Sequence, residues 1–157
     1  MTKFKLKIFL KASYELILVF LQFFIISLHF LKWEFIPQKQ IIQVGLFSYL
    51  LGGLIIIIAF IILLIAIKDL GGNLSPFPRP INNSNLVTTG IYRFTRHPMY
   101  YALIFVSFGV FLTKLSIYYL FLSISLGLII KFKIALEEQY LKNKFKNYLL
   151  YKNEVKY

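Results

Sequence analysis

The first residues that could carry chemistry are Arg96-His97-Pro98, immediately before an apolar run. Pro is well placed as the first residue of a helix, so His97 should lie near the helix cap. Free N–H groups and the positive end of the helix dipole favour an anion there. Arg96 adds a fixed charge, so this corner suits a carboxylate or a phosphate. The alternative is that Arg93, Arg96 and His97 are interfacial residues that touch lipid headgroups.

The second candidate is the acidic pair Glu137-Glu138. Apolar residues recur at helical spacing around the pair, and Glu138 falls on that apolar stripe while Glu137 flanks it. Burying a lone carboxylate is costly, so an acid in such a place should be paired or bound to a ligand. The alternative is a solvated pair satisfied by Lys131, Lys133 or Lys142. The acids and the Arg96 corner are predicted at the same side of one helical hairpin, where they could meet.

The composition is that of a membrane protein. Of the 157 residues, 59% are hydrophobic and only 15% are charged, against about 25% charged residues in soluble domains. The net charge of +12 fits membrane topology and anionic lipid headgroups better than nucleic acid, because no basic patch is interleaved with exposed stacking aromatics. The chain has no cysteine, which excludes disulfides and thiolate metal sites. No metal-ligand set is found, and His29 is predicted to be a packed or hydrogen-bonded helix residue.

Four apolar stretches predict an all-α integral membrane fold, with residues 1–157 forming one domain. The predicted spans are residues 8–31, 44–67, 99–112 and 115–132. The last two are short and separated by Thr113-Lys114, which predicts a tight hairpin. A Lys-rich amphipathic cytoplasmic helix is predicted to follow from Lys131. Close packing of a neighbouring helix is predicted at glycines of the second span, namely Gly45, Gly52 and Gly53.

The distribution of basic residues predicts the topology. Placing both termini and the polar 68–98 loop on one side gives that side all Lys and Arg residues except Lys32, Lys39 and Lys114. The positive-inside rule assigns this side to the cytoplasm. The loop is long enough to be functional, and it shares the cytoplasmic side with the C-terminal helix, where soluble cofactors are found.

These residues also carry a resemblance to a known superfamily. The segments are Gly90-Ile-Tyr-Arg-Phe-Thr-Arg-His-Pro-Met-Tyr100, Glu137-Glu138-Gln-Tyr-Leu141 and Phe145-Lys-Asn-Tyr148-Leu-Leu-Tyr151. They resemble the isoprenylcysteine carboxyl methyltransferase and phospholipid methyltransferase superfamily, and residues 70–80 are similar to its small prokaryotic members. The resemblance implies an S-adenosylmethionine-dependent methyltransferase of a prokaryotic cytoplasmic membrane, with residues 68–157 binding the cofactor. The acceptor would be a lipophilic carboxylate, amine or thiol presented from the membrane lipids.

The resemblance also implies roles for individual residues. The implied cofactor-binding residues are Tyr92, Arg96, His97, Tyr100, Glu137 and Glu138, and the catalytic candidates among them are His97, Arg96 and Glu138. Arg96 would suit the methionyl carboxylate, a Glu would suit the ribose hydroxyls or the ammonium, and a Tyr would pack against adenine or the sulfonium. The chain departs from the family pattern at Ala102, where a Gly is common, and at Lys156, where relatives often continue into a basic tail.

Two other functions fit the same pattern. One is an NADPH-dependent membrane reductase of the sterol-reductase type, which has a similar hairpin but usually more spans. The other is a non-catalytic membrane protein that retains the fold. The intact Arg96, His97 and acidic pair count against the second, because a merely structural hairpin has no need for buried charge.

Overall fold

The computed structural model describes residues 3–31, 40–41 and 43–156, and the regular structure within them is helical. The five α-helices of these ranges are α1 (Lys3–Leu28), α2 (Leu46–Leu70), α3 (Pro98–Lys114), α4 (Ile117–Lys144) and α5 (Tyr148–Glu154). Two 3₁₀ turns, Gly71–Asn73 and Gly90–Arg93, flank the irregular segment between α2 and α3. The predicted all-α class is confirmed.

Within the part of the chain that the structure describes, three helical segments are long and apolar enough to cross a membrane. They are Leu10–Leu28, Leu46–Asn73 and Ile117–Lys144, and the 17-residue α3 is apolar but shorter. Large apolar side chains such as Phe20, Ile57 and Phe121 are more than half exposed on the bundle surface. Exposed apolar side chains in this number are expected where a helix faces lipid. The chain is an integral membrane protein.

Close packing joins α2 to α3. A Cβ atom on Gly52 would lie 2.7 Å from the Gly109 carbonyl oxygen, and one on Gly109 would lie 2.9 Å from the Gly52 carbonyl oxygen. Only glycine permits such a backbone approach. The prediction is therefore right for Gly52 and wrong for Gly45 and Gly53, whose Cβ positions have no neighbouring atom of the described residues within 4 Å.

The predicted hairpin of α3 and α4 is present. Leu115 ends α3 in the left-handed region at φ 44°, and the Ser116 hydroxyl caps α4 by accepting from the Tyr118 N–H. The predicted boundary after residue 132 is not seen, because α4 continues unbroken to Lys144. No Gly or Pro follows Gly127, so nothing in the sequence ends the helix there. The Lys-rich segment is thus the last part of α4 rather than a separate helix.

Helix α1 runs antiparallel to α4. The Tyr118 hydroxyl near the start of α4 donates to the Leu28 carbonyl at the end of α1, whereas the Tyr140 hydroxyl near the end of α4 donates to Glu15. His29 is hydrogen-bonded to the Ile25 carbonyl and to the Ser107 hydroxyl, as predicted. We call the "loop end" the end of the bundle that holds the start of α1, the end of α4 and residues 74–97. The predicted opposite-side residues Lys32 and Lys39 lie outside the described residues.

Candidate functional site

A cleft opens at the loop end between residues 73–87 and the facing parts of α3, α4 and α5. It encloses about 820 Å³, part of which is open to solvent. Five of the six predicted site residues line it, namely Tyr92, Arg96, His97, Tyr100 and Glu137. The sixth, Glu138, lies behind the wall. The structure therefore brings the two sequence-predicted groups to one place.

The position of Tyr92 depends on a contact between α2 and the second 3₁₀ turn. Gly90 has φ +60°, and a Cβ atom there would overlap a carboxylate oxygen of Asp69. The same carboxylate accepts from the Ile91 N–H at 2.8 Å. Tyr92 is consequently buried against α2, and burial raises the pKa of its hydroxyl far above its usual range. Its hydroxyl stays protonated as a hydrogen-bond donor.

His97 is the N-cap residue of α3, and Pro98 is the first residue of that helix, as predicted. The His97 carbonyl accepts from the Tyr100 N–H at 3.1 Å, and the two rings stack with centroids 5.9 Å apart. The imidazole is buried, with Nε2 at 3.5 Å from Glu138 Oε1. This nitrogen makes no hydrogen bond to any described residue.

Arg96 and Glu138 form the central ion pair of the site. Arg96 Nε and Nη2 lie 3.0 and 2.9 Å from Glu138 Oε1, and Nη1 donates to the Val155 carbonyl. Lys152 bonds the other Glu138 oxygen. The alternative in which Lys131, Lys133 or Lys142 satisfies the acidic pair is therefore wrong for Glu138, because Arg96 and Lys152 occupy both of its carboxylate oxygens. Arg96 reaches the cleft wall with all its nitrogens already directed at protein acceptors.

Glu137 presents its carboxylate to the cleft wall one residue earlier on α4. Its charged and polar neighbours are His97, the Tyr100 hydroxyl, Lys133 and Glu138. Both acids are partly exposed, but Glu138 holds Arg96 and Lys152 whereas Glu137 lines the cleft. The adjacent acids thus face different surroundings, since successive helical positions are about 100° apart.

The C-terminal segment closes one side of the cleft. The Tyr151 hydroxyl donates to the Tyr92 carbonyl at 2.6 Å, and burial raises the pKa of Tyr151 to about 12. Tyr148 is almost fully buried, and its hydroxyl has no hydrogen-bond partner among the described residues. Tyr148 and Tyr151 were part of the sequence resemblance but had no predicted role, since a Tyr in an amphipathic segment gives no further signal.

Sequence reasoning also missed a buried cation beside the cleft. Lys133 is 1% exposed, and its ammonium donates to Gln22 on α1 at 2.6 Å and to the Pro76 carbonyl at 3.0 Å. It also lies 5.2 Å from the Tyr100 ring centroid. The available signal was its place within an apolar helix, where an ionisable residue is a candidate for function. The exposed Lys131, two residues earlier, made Lys133 look like part of a solvated charged segment.

Comparison with known proteins identifies the family. The family model "Phospholipid methyltransferase" matches residues 47–148, a region that extends from α2 to the start of α5. Neither a search of curated proteins nor a search of solved structures gives a match. The matched region contains every predicted site residue, and the predicted superfamily is confirmed. The chain belongs to the phospholipid methyltransferase family.

Proposed function

We propose that the protein transfers a methyl group from S-adenosylmethionine to a lipophilic acceptor at the cytoplasmic face of the membrane. The single observation that carries this proposal is the cleft at the loop end, which gathers Tyr92, His97, Tyr100 and Glu137. Family membership independently suggests a membrane methyltransferase. Residues 68–157 would bind the cofactor.

The chemistry of the cleft fits this methyl donor. His97 Nε2 and the Tyr148 hydroxyl are buried beside Glu138 and make no hydrogen bond to a described residue, so either side chain could turn toward a ligand in the cleft that it lines. Glu137 can accept from ribose hydroxyls or from the α-ammonium, and the faces of Tyr92 and Tyr100 suit adenine or a sulfonium. S-adenosylmethionine would supply an electrophilic methyl group at this position.

The residues of the chain would act mainly by binding and positioning. Arg96 and Glu138, which hold each other and the C-terminal segment, would fix the cleft wall rather than meet the reacting atoms. His97 is the candidate to take a proton if the acceptor is an amine, whereas an ionised carboxylate acceptor needs no base. Holding two reactants in line and away from water accounts for much of the rate enhancement of such enzymes.

The placement in the membrane belongs to the same proposal. We take α3 as the fourth span, although its 17 residues cover only about 25 Å of a hydrocarbon core of about 30 Å. The 28 residues of α4 span about 42 Å, so its Lys-rich last turns would extend into the cytoplasm. The excess of basic residues at the loop end favours the cytoplasmic side for that end.

Calorimetric titration of the detergent-purified protein tests the proposed cofactor. We expect saturable binding of S-adenosylmethionine, weakened about tenfold or more by Glu137→Gln and by His97→Ala, since each removes a ligand contact worth about 1.4 kcal/mol or more. Glu154→Gln, an exposed acid on α5, is the matched control and should leave affinity unchanged. Binding of NADPH in place of S-adenosylmethionine would contradict the proposal and favour a reductase.

A further inference from the structure

A second, more open groove lies on the other side of the loop that walls the cleft. Helix α1 contributes Ala12, Glu15 and Leu16 to it, and the loop contributes residues 75–82 in part. Ser75, Phe77, Arg79 and Pro80 line both the groove and the cleft. A single stretch of chain therefore separates the two.

The carboxylate that lines the groove belongs to Glu15, and it is paired with Arg79. Glu15 is 5% exposed and accepts from Arg79 Nη2 at 3.1 Å and from the Tyr140 hydroxyl. The Arg79 side chain, in contrast, is 50% exposed. An arginine that uses one nitrogen on a buried acid can direct its remaining donors to an incoming anion. The acid lies beneath the surface and the guanidinium lies on it.

Two further cations lie near the groove without lining it. The Lys11 ammonium lies 3.8 Å from the centroid of the Tyr140 ring. Lys144 donates to the Ile81 and Asn82 carbonyls and to the Ser84 hydroxyl, all of which are neutral. Arg79 in the groove, with Lys11 and Lys144 nearby, outweighs the one acid of the groove lining, Glu15, and this excess of positive charge favours an anion.

The groove is also continuous with a lipid-facing apolar surface. Leu16 in its wall is 57% exposed, and Ile17 and Phe20 on the same helix are 53% and 68% exposed. Lys11 and Glu15 lie in the first two turns of the candidate span Leu10–Leu28, at the depth where headgroups meet the hydrocarbon. An occupant with a charged head and an apolar tail would match both surfaces.

We propose that this groove binds the anionic headgroup of a membrane amphiphile, a phosphate or a carboxylate held by Arg79, with its tail along α1. Lys11 and Lys144 add attraction without direct contact being required. The groove lies outside the cleft, and amphiphile binding there does not depend on the proposed methyl transfer.

Native mass spectrometry of the detergent-solubilised protein tests the groove with chain-matched probes. We expect lysophosphatidate to bind about tenfold more tightly than the monoacylglycerol with the same acyl chain, as one charge-assisted contact provides. Inorganic phosphate alone should neither bind nor compete at the same concentration. Equal binding of the two amphiphiles would overturn the proposal, and competition by inorganic phosphate would show a free-anion site instead.

Two substitutions separate anion binding from loop anchoring. Arg79→Gln should remove most of the preference for lysophosphatidate, whereas Glu15→Gln should keep or increase it because the guanidinium loses its competing partner. If Arg79 serves only to fasten the loop to Glu15, both variants must lose binding together, which would overturn the proposal. Arg93→Gln, an exposed arginine outside the groove, is the control and should bind as the unmodified protein does.

Separate titrations distinguish this inference from the proposed function. Binding of S-adenosylmethionine with no preference for lysophosphatidate would refute amphiphile binding in the groove but would support the proposed methyltransferase function. Preference for lysophosphatidate with no S-adenosylmethionine binding would do the reverse, because the site would then be a lipid site of a protein with another activity.

Discussion

Replacing Lys133 with methionine tests how the helix bundle accommodates a buried charge next to the cleft. The ammonium is fixed between Gln22 of α1 and the Pro76 carbonyl, and only 1% of the residue is exposed. It therefore links two helices to the segment that walls the cleft. Methionine has a similar length and no charge, so the substitution removes the polar contacts with little change in volume.

Two opposing terms set the size of the effect. Lys133→Met leaves two acceptors without a donor, at about 1–3 kcal/mol each, but relieves several kcal/mol of charge desolvation, so we expect a net loss within about 2 kcal/mol. Gln22→Leu instead keeps the buried charge and removes one of its acceptors, which should cost about 3 kcal/mol or more. Combining the two changes should therefore restore stability relative to Gln22→Leu alone.

The relative stability of these variants can be measured by thermal unfolding in detergent, followed by circular dichroism. We expect the midpoint of Gln22→Leu to be the lowest, with the double variant above it and Lys133→Met above or near the double variant. Lys131→Met, an exposed lysine two residues away on α4, is the control and should change stability by less than about 0.5 kcal/mol. A midpoint for Lys133→Met below that of Gln22→Leu would refute the reasoning, because the charge would then contribute more than its burial costs.

Three further predictions concern the parts that position the site, each measured by the same unfolding assay. Gly90→Ala should lower stability by about 2–3 kcal/mol, because φ is +60° and the new Cβ would overlap a carboxylate oxygen of Asp69; an unchanged midpoint would contradict this turn geometry. Gly109→Ala should cost about 2 kcal/mol through overpacking against α2, while Gly53→Ala, which faces open space, should be neutral or slightly stabilising. Glu138→Gln should cost about 3 kcal/mol because it leaves Arg96 without its ionic partner, and a loss of cofactor affinity without a loss of stability would instead make Glu138 a ligand-binding residue.

Most of the fold could be predicted from the sequence because lipid imposes a simple requirement. A span needs about 20 apolar residues with satisfied backbone groups, and this requirement identified α1 and α2. The hairpin was predicted instead from two shorter apolar runs separated by Thr113-Lys114. The errors were at positions where the sequence carries weak signals. Helix α4 extends past residue 132 because no helix-breaking residue follows. The prediction ended the span there because the number of charged residues rises from Lys131 onward. The direction in which Gly45 and Gly53 face depends on which helix lies beside α2, and that is a tertiary fact.

The sequence predicted which residues form the candidate site better than it predicted the contacts that each of them makes. Arg96, His97 and the acidic pair share one place because a hairpin must return its two ends to the same side, and a helix cap and an acid on an apolar stripe are both visible in the sequence. Which acid meets the cleft is not visible there. Glu138 is held by Arg96 and Lys152 while Glu137 lines the wall, and this depends on α5 folding back so that Val155 and Lys152 reach the pair. Pairing across 42 residues between Arg96 and Glu138 leaves no periodic pattern, so charge partners at a membrane surface can be assigned only after the helices have been placed.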